Sequence, residues 1–126
     1  MTDLNHKKVL AVDDNETNIF VVDALLEEQG MEVLVARDGK EALEVLEDNP
    51  DVDIVLMDIM MPVMNGYEAM RSIRANERLA KVPIIALTAR AMVGDNEKCL
   101  AAGATSYVSK PIDATILVNE ITALLS

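Results

Sequence analysis

Five short runs with strand character alternate along the chain with stretches of helical periodicity. The runs are Val9–Val12, Glu32–Ala36, Ile54–Met57, Ile84–Leu87 and Ser106–Ser109. The helical stretches are Thr17–Gln29, Lys40–Asp48, Tyr67–Asn76, Met92–Ala102 and Asp113–Leu125. Strands that alternate with helices form a parallel sheet with helices on both faces, and such buried strands are rich in apolar residues. The sequence therefore predicts an α/β fold.

Length and cysteine content favour one domain in a reducing compartment. A chain of 126 residues, half of them hydrophobic, suits a single domain over residues 1–126 with one core. The lone Cys99 forms no internal disulfide, is expected to be a small buried side chain, and fits a cytoplasmic setting. The first eight residues lack the apolar core of a signal peptide.

Charge and hydropathy exclude two classes of partner. The net charge of −11 argues against direct binding to nucleic acid, which requires a basic surface. No apolar stretch approaches the roughly 20 residues that a membrane span requires. Neither observation argues against docking to other proteins.

Polar residues follow four of the five predicted strands. The first strand ends at Asp13 and Asp14, the third at Asp58, the fourth at Thr88 and the fifth at Lys110. The carboxyl ends of parallel strands share one edge of the sheet, where ligands bind in such folds. Three carboxylates at one point would repel each other unless a cation or a proton intervened.

This set of residues favours phosphoryl chemistry. Mg²⁺ binds through one or two carboxylates and keeps several waters, so it suits the cluster. Asp58 could then act as a nucleophile on a phosphoryl donor, with Lys110 neutralising charge and Thr88 donating a hydrogen bond. Each residue alone has an ordinary explanation. Asp13 or Asp14 could instead be the N-cap of the helix at Thr17, and Tyr107 alone indicates a packed edge aromatic.

The chain resembles the receiver domain of two-component response regulators over its whole length. The resemblance rests on the order and spacing of several short motifs. They are Val12-Asp13-Asp14-Asn15, Leu56-Met57-Asp58-Ile59-Met60-Met61-Pro62, Asn65-Gly66, Ala86-Leu87-Thr88-Ala89, Gly103-Ala104 and Lys110-Pro111. The family implies a flavodoxin-like doubly wound sheet with strand order 2-1-3-4-5.

The resemblance also implies a role for each matching residue. Asp58 resembles the phosphoacceptor, and Lys110 the phosphoryl-binding lysine, with a cis bond to Pro111. The Mg²⁺ ligands would be Asp14 directly, Asp13 largely through water, Asp58, and the backbone carbonyl of Met60. Thr88 and Tyr107 resemble the switch pair.

Three positions bear on how far this chain follows its relatives. Asn65 stands where many relatives carry Asp, and its place in a turn predicts little effect on chemistry. Met60 and Arg90 flank the expected phosphoryl group, where the family tunes hydrolysis of the acyl phosphate. Because an apolar Met60 cannot orient a water, we expect a phosphorylated state that is not unusually short-lived.

The resemblance implies protein partners at both ends of a signalling step. The donor would be a sensor histidine kinase or a histidine phosphotransfer protein, and the output a protein docking on the face made by Met92–Ala102, the fifth strand and the last helix. The segment Leu87–Ala104 is similar to receivers of hybrid sensor kinases. A stand-alone regulator and a receiver cut from a longer chain therefore both remain open.

Rival functions on similar sheets fit the sequence less well. A Mg²⁺-dependent phosphatase with an aspartyl nucleophile would want a second Asp where Met60 stands. A flavin-binding module would want a Ser/Thr-rich loop where Asp13-Asp14-Asn15-Glu16 stands. No Gly-x-Gly-x-x-Gly follows a predicted strand, so a dinucleotide fold is not supported either.

Overall fold

The strands form one parallel five-stranded sheet. In a computed structural model, residues 4–59, 66–88, 95–109 and 112–125 are described. The strands are β1 (Lys8–Val12), β2 (Glu32–Ala36), β3 (Ile54–Asp58), β4 (Ile84–Thr88) and β5 (Ser106–Ser109). Their order is β2-β1-β3-β4-β5, and every neighbouring pair is parallel. The predicted fold class and strand order are confirmed.

A helix follows each strand. These are α1 (Glu16–Glu28), α2 (Gly39–Asp48), α3 (Gly66–Ala75), α4 (Asp95–Ala102) and α5 (Ala114–Leu125). The predicted helices agree to within one residue at each described end. The start predicted for the fourth helix, at Met92, lies outside the described residues.

Two apolar clusters lie on opposite faces of the sheet. Alternate strand residues divide between them, with Leu10 and Val12 in one cluster and Val9 and Ala11 in the other. Side chains of α2, α3 and α4 join the first cluster, and side chains of α1 and α5 join the second. The predicted two-sided helical cover is thus confirmed, and Cys99 is buried as expected.

Two apolar residues on the helices are only partly buried. Val21 in α1 and Ile116 in α5 are about half exposed, whereas Val22 and Leu117 beside them are buried. Each helix contacts the sheet along a stripe narrower than its run of apolar residues, so the flanking positions stay in solvent.

Among the described residues, no helix is both long enough and apolar enough to cross a membrane.

Candidate metal and phosphoacceptor site

Three carboxylates meet at the carboxyl edge of the sheet. Val12 of β1 pairs with Met57 of β3, so the next residues of the two chains, Asp13 and Asp58, emerge side by side. One carboxylate oxygen from each of Asp13, Asp14 and Asp58 lies within 4.8 Å of the other two. The predicted convergence of these three residues is therefore present.

The three carboxylates differ in their exposure to solvent. Asp58 is 4% exposed and Asp13 5% exposed, whereas Asp14 is open to solvent. Removing a carboxylate from water is unfavourable unless hydrogen bonds or a cation compensate. Asp58 is the last residue of the fully buried strand β3, so its backbone is held by the ladder to β4.

Local hydrogen bonds hold the turn after β1. The Asp13 N–H donates to the carbonyl of Ala36 at 3.1 Å, and its Oδ1 accepts the Asn15 N–H at 2.9 Å. Asn15 is the N-cap of α1, and its side chain accepts the Asn18 N–H at 3.1 Å. The alternative interpretation of Asp13 or Asp14 as this N-cap is wrong. Asn15 satisfies the helix end and leaves both carboxylates at the sheet edge.

The end of β2 also contributes to this edge, which the sequence did not indicate. Asp38 is the N-cap of α2 and accepts the Glu41 N–H at 2.8 Å. Arg37 donates to Glu16, the first residue of α1, across 3.1 Å. Both members of this ion pair are exposed, so it contributes little to stability.

Thr88 ends β4 at the same edge of the sheet. Asp58 pairs with Leu87 in the β3–β4 ladder, which places Thr88 one residue beyond the partner of Asp58. Thr88 is 7% exposed. Tyr107 lies opposite Ala86 in β5, is half-buried and packs against the cluster that contains α3 and α4.

Gly66 is a site residue whose physical role was not apparent from the sequence. Its N–H donates to the Ile59 carbonyl at 3.0 Å. A Cβ placed on Gly66 would lie 2.5 Å from the carbonyl oxygen of Asp58 and 2.8 Å from the Cα of Ile59. Only a glycine permits α3 to begin this close to the phosphoacceptor candidate. The Asn65-Gly66 dipeptide indicated a turn but not this contact.

Several predicted site residues lie outside the described residues. They are Met60, with its backbone carbonyl as a predicted Mg²⁺ ligand, Lys110 and the Lys110–Pro111 bond, Asn65, and Ala89 with Arg90.

The carboxylate cluster has the composition of a site for a hard divalent cation. Mg²⁺ prefers oxygen ligands and is usually held by one or two carboxylates together with water. Two buried carboxylates beside an exposed one meet this requirement. When bound, Mg²⁺ would neutralise charge on a phosphoryl group and reduce repulsion among the three aspartates.

Comparison with known proteins then decides the family. A sequence model of the response regulator receiver domain matches residues 9–122. The chain belongs to the response regulator receiver domain family. Receiver domains are phosphoacceptor switches, so the family disfavours the phosphatase alternative.

Curated relatives include both small regulators and large kinases. The polar-differentiation response regulator DivK of Brucella ovis is 37% identical, over 94% of this chain and 96% of its own length. The hybrid signal transduction histidine kinase I of Dictyostelium discoideum is 42% identical over 91% of this chain. This chain spans only 7% of the length of that kinase.

Solved structures of receiver domains share this fold. The receiver domain of sensor histidine kinase PA1611 from Pseudomonas aeruginosa is 40% identical, with a TM-score of 0.88 over 95% of this chain and 98% of that one. That structure has a magnesium ion coordinated in its active site cleft. The receiver domain of Saccharomyces cerevisiae Ssk1, crystallised with the histidine phosphotransfer protein Ypd1, matches with a TM-score of 0.87 at 28% identity, over 96% of this chain and 90% of that one.

Proposed function

We propose that this receiver domain stores a phosphoryl group on Asp58. The proposal rests on the cluster of Asp13, Asp14 and Asp58 at the carboxyl edge of the sheet, where one carboxylate oxygen of each residue lies within 4.8 Å of the other two. Asp58 is the member fixed at the end of a buried strand, which suits a nucleophile that must be held in one orientation.

Asp13, Asp14 and Asp58 would hold Mg²⁺, together with the backbone carbonyl of Met60. The magnesium ion in the PA1611 receiver supports this assignment. Asp14, which is open to solvent, would bind the cation directly, and buried Asp13 would act largely through water, as the resemblance to the family implies.

The transfer is a displacement at phosphorus. A carboxylate oxygen of Asp58 forms a bond to the phosphorus, and the bond from phosphorus to a donor histidine nitrogen breaks. The electron pair stays on that nitrogen, and the product is an acyl phosphate. Lys110 and the Thr88 hydroxyl would bind the transferred oxygens. Later attack by water on the phosphorus restores the Asp58 carboxylate and releases phosphate.

The added charge would draw Thr88 toward the phosphoryl oxygens, and Tyr107 would turn into the space that is vacated. Output is a population shift on the face formed by α4, β5 and α5. The donor would be a histidine kinase or a phosphotransfer protein, as the Ypd1 complex of Ssk1 supports. The output partner would be another protein, because a net charge of −11 disfavours nucleic acid.

We further propose that residues 1–126 form one receiver domain that works in the cytoplasm. It turns over its own acyl phosphate slowly and is not a multiple-turnover enzyme. The chain would serve either as a single-domain regulator, as its match to nearly all of DivK supports, or as the receiver of a hybrid kinase.

The test is labelling with radioactive acetyl phosphate in the presence and absence of Mg²⁺. Wild type should take up acid-labile label only with Mg²⁺, and Asp58→Asn should take up none. Asp53→Asn, directly before the first residue of the same strand, is the matched control and should label normally. Equal labelling of Asp58→Asn and wild type would refute the assignment.

A further inference from the structure

Arg74, near the end of α3, links this helix to the segment before β4 and to the turn after α4 through its guanidinium group. Nε donates to the Gly103 carbonyl at 2.9 Å, and Nη1 donates to the carbonyls of Ala80 and Val82 at 2.9 and 2.6 Å. Nη2 donates to Thr105 Oγ1 at 3.3 Å. Because the planar guanidinium offers five donors in a fixed geometry, one side chain can hold all four acceptors together.

The acceptors beyond α4 are themselves fixed. Gly103 has a φ of +119°, and a Cβ there would lie 2.6 Å from the Cγ of Arg74. The hydroxyl of Thr105 also accepts the Ile84 N–H at 3.1 Å, and the Thr105 N–H donates to the Ile84 carbonyl at 2.7 Å. Arg74 therefore fixes the turn after α4 against the start of β4.

The other end of α3 contacts the phosphoacceptor. Gly66 packs on the backbone of Asp58 and Ile59. Between its ends, α3 is a continuous helix about 15 Å long that buries Ala69, Met70 and Ile73 in the sheet-facing core. A packed helix moves as a rigid unit, because a close-packed interior deforms little.

We propose that α3 is a second connection between Asp58 and the output face, and that Arg74 is the positioning residue through which it acts. A shift of the Asp58 backbone on phosphorylation would move the start of α3, and Arg74 would carry the shift to the C-terminal end of α4. This route runs beside the one through Thr88 and Tyr107. The inference rests on the proposed phosphorylation of Asp58.

Allosteric coupling requires an element whose equilibrium is shifted from both of the coupled sites. Here that element is α4, whose docking on the core would be shifted both from the Asp58 site and from the output face. Cys99 and Ala102 of α4 lie in the same core cluster as Met70 and Ile73 of α3. The two helices therefore share a packed surface, and a displacement of one is felt by the other.

Cys99 provides a reporter for this motion. It is the only cysteine in the chain, and its side chain is 0% exposed. A thiol reagent can reach it only when α4 opens locally, so the modification rate reports the population of open α4.

The experiment measures the Cys99 modification rate of the full chain after and before phosphorylation by acetyl phosphate, and takes the ratio of the two rates. We expect phosphorylation to change the rate in wild type by about fivefold, a typical allosteric coupling. Arg74→Lys keeps the charge but loses the forked geometry. In this variant, labelled to the same extent, the ratio should lie closer to one, with a fold-change at most half that of wild type. Arg71→Lys, an exposed arginine of the same helix, is the matched control and should keep the wild-type ratio.

If Arg74→Lys does not fold, a second pair of variants tests the Thr105 hydroxyl, which accepts from both Arg74 and the Ile84 N–H. Thr105→Val removes the hydroxyl that accepts from Arg74 and should bring the ratio closer to one. Thr105→Ser keeps the hydroxyl and should keep the wild-type ratio. The inference is overturned if Arg74→Lys or Thr105→Val takes up label and keeps the wild-type ratio, or if wild type takes up label with no change in rate. An unlabelled wild type would overturn the proposed function itself, which the labelling step reveals separately.

Discussion

Gly66 lies directly against the backbone of Asp58, so that a Cβ on Gly66 would be 2.5 Å from the Asp58 carbonyl oxygen. A backbone atom cannot move aside as a flexible side chain can. The start of α3 and the end of β3 must therefore separate if any side chain is added. Gly66 and Asp58 form one structural unit, although seven residues separate them in the chain.

Gly66→Ala should therefore lower both stability and phosphorylation. We expect a loss of about 1–3 kcal/mol in the free energy of unfolding, which is typical of overpacking. Because a misplacement of about 1 Å can reduce a rate by about 100-fold, a smaller shift of Asp58 should slow labelling by roughly tenfold.

Gly30→Ala is the control for the loss of stability. Gly30 has a φ of +81°, and a Cβ there would meet the side chain of Asn5, but at the opposite edge of the sheet from Asp58. It should lower the unfolding midpoint in urea while leaving the labelling rate close to wild type. Similar labelling rates in Gly66→Ala and wild type would contradict a positioning role for Gly66.

The effect of Asp14→Asn on the free energy of unfolding should change sign when Mg²⁺ is added. Without the cation, the substitution removes one of three clustered negative charges and should stabilise the fold by about 1 kcal/mol, as for an exposed like-charge pair. With Mg²⁺ at about 100 times its dissociation constant, wild type should gain about 2.7 kcal/mol and the variant much less.

Thermal unfolding of wild type and Asp14→Asn, with and without Mg²⁺, measures this change of sign. Asp48→Asn, an exposed acid at the end of α2, is the control and should show the wild-type gain from Mg²⁺. An equal Mg²⁺ gain in Asp14→Asn and wild type would show that Asp14 is not a ligand.

The Lys8–Asp51 ion pair should make stability depend on pH at both extremes. The Lys8 ammonium donates to Asp51 at 2.6 Å. This hydrogen bond holds the pKa of Asp51 below and the pKa of Lys8 above their ordinary values. Its stabilisation is present above the ordinary Asp pKa of about 3.9 and is lost as pH falls through the lowered value. It is likewise present below the ordinary Lys pKa of about 10.4 and is lost as pH rises through the raised value.

The measurement is the unfolding midpoint of wild type and Asp51→Asn across pH. Wild type should be the more stable by a constant margin between about pH 5 and pH 9, and the margin should shrink outside that window. The same margin at about pH 2 as at pH 7 would contradict the assignment of this shift to the ion pair.

Met60→Asn should shorten the lifetime of the phosphorylated state. Met60 lies outside the described residues, and the prediction rests on its apolar side chain, which cannot orient a water for attack at phosphorus. An amide can hold that water by hydrogen bonds. Loss of label from purified phosphoprotein measures the lifetime, and faster loss from wild type than from Met60→Asn would contradict the prediction.

Hydrophobic pattern predicted the fold because each strand is bounded by polar or turn-forming residues. The strand ends were less apparent, since Asp58 and Thr88 are polar yet complete β3 and β4. Their inclusion depends on ladder hydrogen bonds to neighbouring strands, which local sequence does not encode.

The carboxylate cluster was predictable because parallel strands bring their carboxyl ends to one edge. The contacts of Gly66 and Arg74 were not. Arg74 lies within a stretch of helical periodicity, but its four acceptors come from segments up to 31 residues away. Such contacts depend on how helices dock on the sheet, which periodicity does not determine.

The most direct test of the account is to locate the phosphoryl group. Wild type phosphorylated by acetyl phosphate and Mg²⁺ is digested, and the acid-labile label is assigned to a peptide. We predict that all of it lies on the peptide containing Asp58 and that Asp58→Asn carries none. Label on Asp13 or Asp14, or label that persists in Asp58→Asn, would contradict the central claim.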